Sequence, residues 1–350
     1  MRETLSVRPH PPLRSAVCAL AALALATLPA PLRAQTEAAY RTDLPDAHAP
    51  AGQSGDHLLP RGSFQIGYRF SNTSFDELRE GSTDLTGEDV LNLYPVAPVT
   101  RTVLEHELEL MYGITDGVTL QVLLPYRDLE TGHLTSTTPA FFTRASGLGD
   151  VEVRALVRLF GEGATRAHLD LGLAVPTGAI DAVGATPLAP AGTVLPYGMQ
   201  PGSGSFAARP GATVFVQNEQ GSVGAQLRGT LHLNDNDRGY RRGDRIGVAA
   251  WLAPRINDYL SVSIGLQYEN FDRLSGIDRD LDPAVEPGND PAFYGGERVE
   301  IPFGLNFFMA QGPFAGHRLS AEVSFAPHQD YDGIQLDRSR RFSVRWRKAF

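Results

Sequence analysis

The sequence contains a single cysteine and a single long apolar run, and the cysteine lies inside the run. Cys18 falls within residues 16–28 (AVCALAALALATL), which three arginines precede and the small-residue site at residues 32–34 follows. The run is too short to cross a membrane as a helix and is flanked like a secretory signal peptide cleaved after Ala34. We therefore expect the chain to be exported. Because Cys18 leaves with the signal, disulfide and thiol chemistry are excluded.

Cofactor motifs are also missing. No haem-attachment motif, phosphate-binding glycine loop or zinc cluster is present, so no cofactor and no metal is expected. The loop at residues 278–286 carries Asp278, Asp280 and Asp282 at calcium-loop spacing, but Pro283 stands where the sharp turn requires glycine. A solvated loop face is the first interpretation, and weak cation bridging to lipopolysaccharide is the alternative.

Basic residues are fewer than acidic residues. Without residues 1–34, which hold four Arg and one Glu, 27 basic side chains remain against 39 acidic ones, a net charge of −12. An acidic processed chain argues against nucleic acid as a partner. The hydrophobic share of 42% is ordinary for a soluble protein, and it is also ordinary for a membrane barrel, whose strands show only half of their residues to lipid.

The last eleven residues, 340–350 (RRFSVRWRKAF), alternate between apolar and polar side chains. Phe342, Val344, Trp346 and Phe350 share one parity, and the other holds Arg341, Arg345 and Arg347 together with Ser343 and Ala349. Successive side chains of a strand point to opposite faces, so this stretch has one face for lipid and one cationic face for a wet lumen. It resembles the carboxyl-terminal signal of bacterial outer-membrane barrels, which implies recognition by the barrel assembly machinery.

Twelve segments with this alternation follow residue 62, each close to the roughly 9 to 11 residues of a tilted membrane strand. They lie near residues 63–72, 100–112, 118–128, 150–160, 167–176, 206–216, 222–233, 243–254, 260–270, 297–309, 318–327 and 340–350. The connections alternate between long and short, as in a barrel with periplasmic turns at one end and extracellular loops at the other. The sequence therefore predicts an all-β fold, a 12-stranded antiparallel transmembrane β-barrel of outer-membrane type over residues 63–350. Residues 35–62, polar and rich in Pro and Gly, are predicted to be a disordered periplasmic lead.

Charged side chains keep to one face of these segments. A charge at the midplane of the lipid face costs roughly 2 to 4 kcal/mol, so the sorting indicates a lipid-facing exterior and a polar interior. The candidates for the lumen wall are Arg69, Glu105, Glu107, Glu109, Arg127, Glu152, Arg154, Arg158, Asp170, Arg228, Glu269, Arg298, Glu300, Glu322, Arg345 and Arg347.

Two interpretations of this set stay open. The charges can form the wall of a narrow or gated conduit, or acid–arginine pairs can cross-link the interior and fill it, since a barrel of this size permits both. The two signs are mixed, so the sequence predicts no preference for anions or cations.

Aromatic residues near the predicted strand ends suit interfacial girdles. They are Tyr112, Tyr126, Trp251, Tyr259 and Trp346. His106 is unusual because its parity places it among lipid-facing leucines. Outer-membrane lipid hydrolases carry His and Ser on the outer wall, but no serine lies within two residues of His106 on that face. A neutral interfacial histidine is the first interpretation, and a lipid hydrolase is an alternative.

The turn motifs carry a family resemblance. Residues 146–160 (SGLGDVEVRALVRLF), 169–178 (LDLGLAVPTG) and 113–126 (GITDGVTLQVLLPY), with QPGSGS at 200–205 and YDGIQL at 331–336, resemble outer-membrane transporters of the "MetA pathway of phenol degradation" family. The matching positions are structural: Gly147, Gly149, Asp150, Pro176 and Gly178. The resemblance implies a barrel that passes small hydrophobic or aromatic compounds, and it brings no catalytic residues.

Together these observations predict a channel in the cell outer membrane for passive passage of a small-molecule solute. The expected partners are outer-membrane lipid and lipopolysaccharide, and no nucleic acid. An occluded barrel with a structural or binding role is the alternative, and no enzymatic activity is expected.

Overall fold

The computed structural model describes residues 40–136 and 140–350. The predicted signal peptide at residues 1–34 lies outside the described residues. Within the described part of the chain, no helix is long and apolar enough to cross a membrane.

The described residues are almost entirely strand and turn. In chain order the strands are β1 (Phe64–Gly81), β2 (Thr83–Leu85), β3 (Val96–Thr115), β4 (Val118–Thr135), β5 (Phe141–Leu148), β6 (Val151–Glu162), β7 (Thr165–Val175), β8 (Val183–Thr186), β9 (Ala189–Val194), β10 (Ala207–Gln217), β11 (Gly221–His232), β12 (Tyr240–Arg241), β13 (Arg245–Pro254), β14 (Leu260–Phe271), β15 (Ser275–Gly276), β16 (Gly296–Met309) and β17 (His317–Ala349). One short helix, α1 (Gly87–Leu91), and three 3-10 turns at Tyr197–Met199, Pro287–Asn289 and Pro291–Tyr294 lie in the long connections.

Eleven of these strands close one antiparallel sheet. Their order is β17–β16–β14–β13–β11–β10–β7–β6–β4–β3–β1, and β17 pairs back to β1. β2 and β5 extend the sheet beyond this ring by pairing with β1 and β4. The pairs β8–β9 and β12–β15 form two small separate sheets. The predicted all-β antiparallel barrel is confirmed.

The strand count differs from the twelve predicted from the sequence. The last two predicted segments, 318–327 and 340–350, are joined into the 33 residues of β17. Residues 317–331 of this strand pair with β16, and residues 331–349 pair with β1. The chain nevertheless reverses direction within β17, since the Gln329 side chain donates to the Arg338 carbonyl at 3.3 Å and the Trp346 indole donates to His317 at 2.9 Å.

The wall alternates between an apolar outside and a polar inside. In β16, Phe303 and Phe307 are 46% and 40% exposed, whereas Glu300 and Asn306 are almost completely buried. The other strands repeat this sorting, because side chains of period two reach opposite faces of a sheet. The outer surface is therefore the one suited to hydrocarbon.

Residues 40–62, here called the inner segment, lie inside the barrel, where the sequence predicted a disordered periplasmic lead. The Tyr40 amide donates to the Gly163 carbonyl at 3.1 Å, and the Gly62 amide donates to the Gly113 carbonyl at 2.8 Å, both beside short turns. Between these points the segment rises into the lumen and returns. Asp46 and Ala51 are fully buried. A polar stretch is stable there because inward-facing side chains of the wall satisfy its backbone.

Trp251 is not part of the aromatic girdle that the sequence predicted. Its side chain is 3% exposed and packs in the interior against Ala49 of the inner segment and Phe215 of β10. Ala249 and Ala253 lie on the same face of β13 as Trp251 and are also buried. These small residues indicate that this face points into the interior. The three predicted girdle tyrosines are exposed: Tyr112, Tyr126 and Tyr259.

Candidate functional site in the barrel interior

Ion pairs link neighbouring strands on the inner face of the wall. Arg69 of β1 lies 2.8 Å from Glu107 and 3.4 Å from Glu105 of β3, and Arg127 of β4 lies 2.8 Å from Glu105. Arg69 stands opposite Glu107 in the strand register, and Glu105 stands opposite Arg127. The register of the sheet therefore places opposite charges side by side.

A second group lies on β6, β7 and β11. Arg154 donates to Glu152 on the same face of β6, and Arg228 lies 3.1 Å from Asp170. Gly211 of β10 separates Asp170 from Arg228 in the register. A Cβ at Gly211 would lie 2.9 Å from the Asp170 carboxylate, so glycine leaves the room in which this pair forms.

Three arginines converge on Glu300 of β16. Arg298, Arg338 and Arg341 lie 3.0, 2.5 and 3.2 Å from its carboxylate oxygens. Arg298 also donates to Glu269 of β14. Two carboxylates thus face three guanidinium groups, which leaves a local excess of positive charge.

Six predicted lumen residues contact the inner segment: Arg69, Arg154, Arg228, Glu322, Arg345 and Arg347. Arg347 lies 2.9 Å from Asp56 of the segment and 3.3 Å from Glu109. The Gly52 amide donates to Glu322 at 3.3 Å. The half of the lumen next to the short turns is therefore filled by the inner segment, which neither interpretation of the charge set included.

Arg158 is not part of the interior group. Its side chain is exposed at the barrel end and donates to the Asp116 carbonyl in the β3–β4 turn. Arg158 is on the same face of β6 as Glu152 and Arg154. It lies past the buried Leu156, at the end of the barrel that solvent reaches. The alternation of side chains along β6 therefore wrongly assigned Arg158 to the lumen.

The apex of the inner segment, residues 52–55, is held by wall side chains. His168 contacts the Gly55 carbonyl at 2.9 Å, and Arg228 donates to the Ser54 carbonyl. Gly55 has a φ of +58°, and a Cβ there would lie 3.0 Å from the Arg228 guanidinium. Both the positive φ and the close approach favour glycine at this turn.

Two cavities of about 390 and 290 Å³ occupy the lumen beyond this apex. Gly52 lines both and forms their common floor. Eight arginines line the first cavity, and three more line the second: Arg69, Arg101, Arg127, Arg242, Arg245, Arg298, Arg338 and Arg341, then Arg154, Arg209 and Arg228. The acidic residues that line them are four: Glu105, Asp272, Glu269 and Glu300.

The excess of arginine differs from the balanced lumen that the sequence suggested. Arg101 donates to Thr131, and Arg242 donates to the Gln200 and Gly202 carbonyls at 2.8 and 2.6 Å. Among the described residues, neither arginine has a carboxylate partner. Neither arginine is among the lumen candidates predicted from the sequence. Arg242 lies in a loop, and Arg101 lies at the start of a predicted strand.

Electrostatic crowding acts on Arg242. Burial lowers the pKa of its guanidinium, and the nearby positive charges of Arg127 and Arg245 lower it further. An anion placed among these groups would relieve the repulsion between them.

Aromatic side chains complete the first cavity. Phe75, Phe271, Tyr197, Tyr294 and Tyr331 are among its lining residues. Burial raises the pKa of Tyr294 to about 12, so its hydroxyl stays protonated at neutral pH and donates to the Gly288 carbonyl at 2.7 Å. The cavity combines fixed cations with flat apolar surfaces.

His106 lies on the outer wall, as its parity predicted. Its Nδ1 is 2.6 Å from the Tyr68 hydroxyl, and its ring packs beside Phe70. Within the described part of the chain, no serine hydroxyl forms a hydrogen bond with this imidazole.

A scan against protein-family models found no match, and a search of curated proteins found no relative. Solved structures do match. The COG4313 outer membrane channel from Pseudomonas putida F1 superposes with a TM-score of 0.62 at 16% identity, covering 85% of this chain and 99% of that one.

Two other solved barrels align less closely. A Pseudomonas aeruginosa FadL homologue has a TM-score of 0.43 at 12% identity and covers 87% of this chain and 98% of its own. The KdgM porin has a TM-score of 0.40 at 11% identity, with coverages of 82% and 99%.

The fold is that of the bacterial outer-membrane barrels, and the predicted location in the outer membrane agrees with it. Within that class, this chain is similar in fold to the COG4313 outer membrane channel.

Proposed function

We propose that this protein is an outer-membrane channel for the passive passage of small acidic solutes, aromatic carboxylates among them. The observation that carries the proposal is the composition of the lining of the two cavities, which contains eleven arginines and only four acidic residues. A guanidinium binds a carboxylate through two parallel N–H donors, so a ring of arginines attracts organic acids and repels cations.

The aromatic part of the proposal rests on the first cavity. Its volume of about 390 Å³ falls within the range of small-molecule sites, roughly 300 to 1,000 Å³. Arg245 and Arg298 stack on Phe271 at 5.6 and 5.5 Å from the ring centroid. A benzoate-like solute would meet an apolar ring surface and a cationic partner in the same place.

We count the two halves of β17 as separate membrane passages, since they pair with different neighbours. This gives twelve passages, an even number with both ends of the barrel chain at the short turns, as bacterial single-chain barrels have. The family resemblance in the turn motifs supports the same assignment and the same aromatic class of solute. The terminal half of β17 is the part proposed to be recognised by the assembly machinery.

The inner segment restricts passage. Its contacts with the wall are mainly hydrogen bonds and ion pairs, such as Asp46 to Arg255 at 2.6 Å and Leu59 to Thr119 at 2.8 Å. Its apolar contacts are two small clusters around Ala49 and Leu59. Because polar contacts hold it more than apolar packing does, water entering the lumen can replace these hydrogen bonds and ion pairs, and we assign the segment the role of a gate.

The test is the reversal potential of the purified protein in planar bilayers under a salt gradient. We expect discrete conductance with preference for anions. The double substitution Arg101→Gln and Arg242→Gln should move the preference toward cations, because it removes two charges without carboxylate partners. Arg158→Gln, which removes an exposed charge at the barrel end, is the matched control and should change little. Cation preference in the unmodified channel, or no conductance, would contradict the proposal.

We also propose that the protein has no lipid hydrolase activity. His106 forms a hydrogen bond with the Tyr68 hydroxyl and has no serine partner among the described residues. Phospholipid and lipid A incubated with the folded protein should remain intact. An activity that His106→Ala abolishes would reverse this assignment.

A further inference from the structure

Three side chains of the inner segment converge below its apex. His48 Nδ1 lies 3.4 Å from Asp56 Oδ2, and His57 Nδ1 lies 3.3 Å from Asp56 Oδ1. One nitrogen from each imidazole and one carboxylate oxygen all lie within 4.8 Å of one another. The side chains of all three are about nine-tenths buried or more. The channel proposed above gives this cluster no role.

The hydrogen bonds behind His57 fix its tautomer. Glu109 only accepts hydrogen bonds, so the Gln65 amide nitrogen, 3.2 Å from it, must be the donor. The Gln65 carbonyl oxygen then faces His57 Nε2 at 3.3 Å and must accept from it. In a neutral imidazole the proton therefore sits on Nε2, and Nδ1 presents a bare lone pair to Asp56.

Two acceptors thus face each other in a buried place. His57 Nδ1 has no hydrogen-bond partner among the described residues, and the cation beside Asp56 Oδ1 is the Arg347 guanidinium at 2.9 Å. Such groups are costly to bury unless something positive lies between them. Among the described contacts Arg347 reaches Asp56 and His48 but not His57, so the positive group between the two acceptors is either a second proton on His57 or a metal ion.

The neighbouring charges act in both directions. Arg347 lies 2.9 Å from Asp56 Oδ1 and 3.4 Å from His48 Nδ1, and it opposes a cation. It has a second carboxylate partner, Glu109, at 3.3 Å, and can stay paired when Asp56 turns to a metal. Arg318 lies nearby with its guanidinium committed to the Leu44 and Thr42 carbonyls.

The spacing suits a small tetrahedral ion. Zinc binds His nitrogen and Asp oxygen at roughly 2.0 to 2.2 Å, which separates ligand atoms by about 3.3 to 3.5 Å. The two His–Asp distances, 3.4 and 3.3 Å, are close to this value but involve different oxygens of Asp56, and the three ligand atoms lie within 4.8 Å of one another, so a bound ion would draw them together. Gln65 supplies the outer hydrogen bond that orients a metal-binding histidine.

We propose that His48, Asp56 and His57 form a binding site for a divalent transition metal ion of the zinc class, with water as the fourth ligand. The ligands stand on the two arms of the inner segment, on either side of the apex at residues 52–55. A bound ion would tie the arms together and hold the segment in its compact form.

The test uses the complete folded protein in detergent, stripped with a chelator and then titrated with zinc at pH 7.5. We expect about one zinc ion bound per chain, with magnesium and calcium not competing because they prefer all-oxygen ligands. His57→Ala and His48→Ala should each weaken binding at least about tenfold, and Gln65→Met should weaken it by about ten- to a hundredfold through loss of ligand orientation. His328→Ala is the matched control, since that histidine lies 3.7 Å from one carboxylate and outside the cluster.

Three results would overturn the proposal. The first is stoichiometric zinc binding that survives in the His48→Ala, His57→Ala double variant. The second is no zinc binding by unmodified protein whose barrel is shown to be folded by its heat-modifiable gel mobility. The third is protection of the inner segment from protease by mild acid but not by zinc, which would assign the contact to a proton.

Discussion

At the scale of single residues, charge placement decides which contacts hold the interior together. Arg347 is 3% exposed and serves two carboxylates, Asp56 of the inner segment and Glu109 of β3. Removing this shared partner leaves two buried carboxylates without the guanidinium that pairs with both, which is far more costly than removing an exposed charge. The stability of the barrel therefore depends more on this arginine than on an exposed one such as Arg158.

We expect Arg347→Leu to lower the free energy of unfolding by about 3 to 5 kcal/mol. Arg158→Leu, at the exposed end of β6, should change it by no more than about 0.5 kcal/mol. Denaturant unfolding of the detergent-folded barrel, followed by tryptophan fluorescence, measures both. Equal stabilities for the two variants would show that the Arg347 contacts are not maintained in solution.

At the scale of strands, the sequence predicted most of the wall and misjudged its ends. Period-two alternation located every barrel strand, because lipid outside and polar groups inside give each strand two unlike faces. Trp251 was assigned to the outside because aromatic residues near strand ends suit both an interface and an interior. Arg158 was assigned to the inside because parity does not show where the wall ends. Only three-dimensional neighbours distinguish these cases.

The two tryptophans test the faces of β13 and β17 directly. Trp346 lies on the outward parity beside Tyr68, whereas Trp251 is buried in the interior. In bilayers made with brominated lipid, the fluorescence of the Trp251→Phe variant, which retains Trp346, should be strongly quenched. The Trp346→Phe variant, which retains Trp251, should be quenched weakly. The reverse order would mean that β13 is turned inside out.

At the scale of the whole molecule, the main surprise is the inner segment. Residues 35–62 have no periodicity and are too few to form a core of their own, so the sequence predicted no order. The described part, residues 40–62, is ordered because the wall supplies its partners, such as Arg255 for Asp46 and Thr119 for Leu59. Partners that come from distant strands leave no signal within the segment itself. The excess of arginine in the lumen was missed for the same reason, since loop arginines such as Arg242 join the cavity only in the folded barrel.

The most direct test of a cationic lumen narrowed by the inner segment is single-channel conductance before and after deletion of residues 40–57. The deletion variant should fold, since the closed sheet of β1 to β17 stays complete, and its heat-modifiable gel mobility verifies this. We predict a larger conductance than that of the unmodified protein and the same preference for anions, because the arginines of both cavities remain. An unchanged or smaller conductance in the folded variant, or loss of the anion preference, would contradict the account.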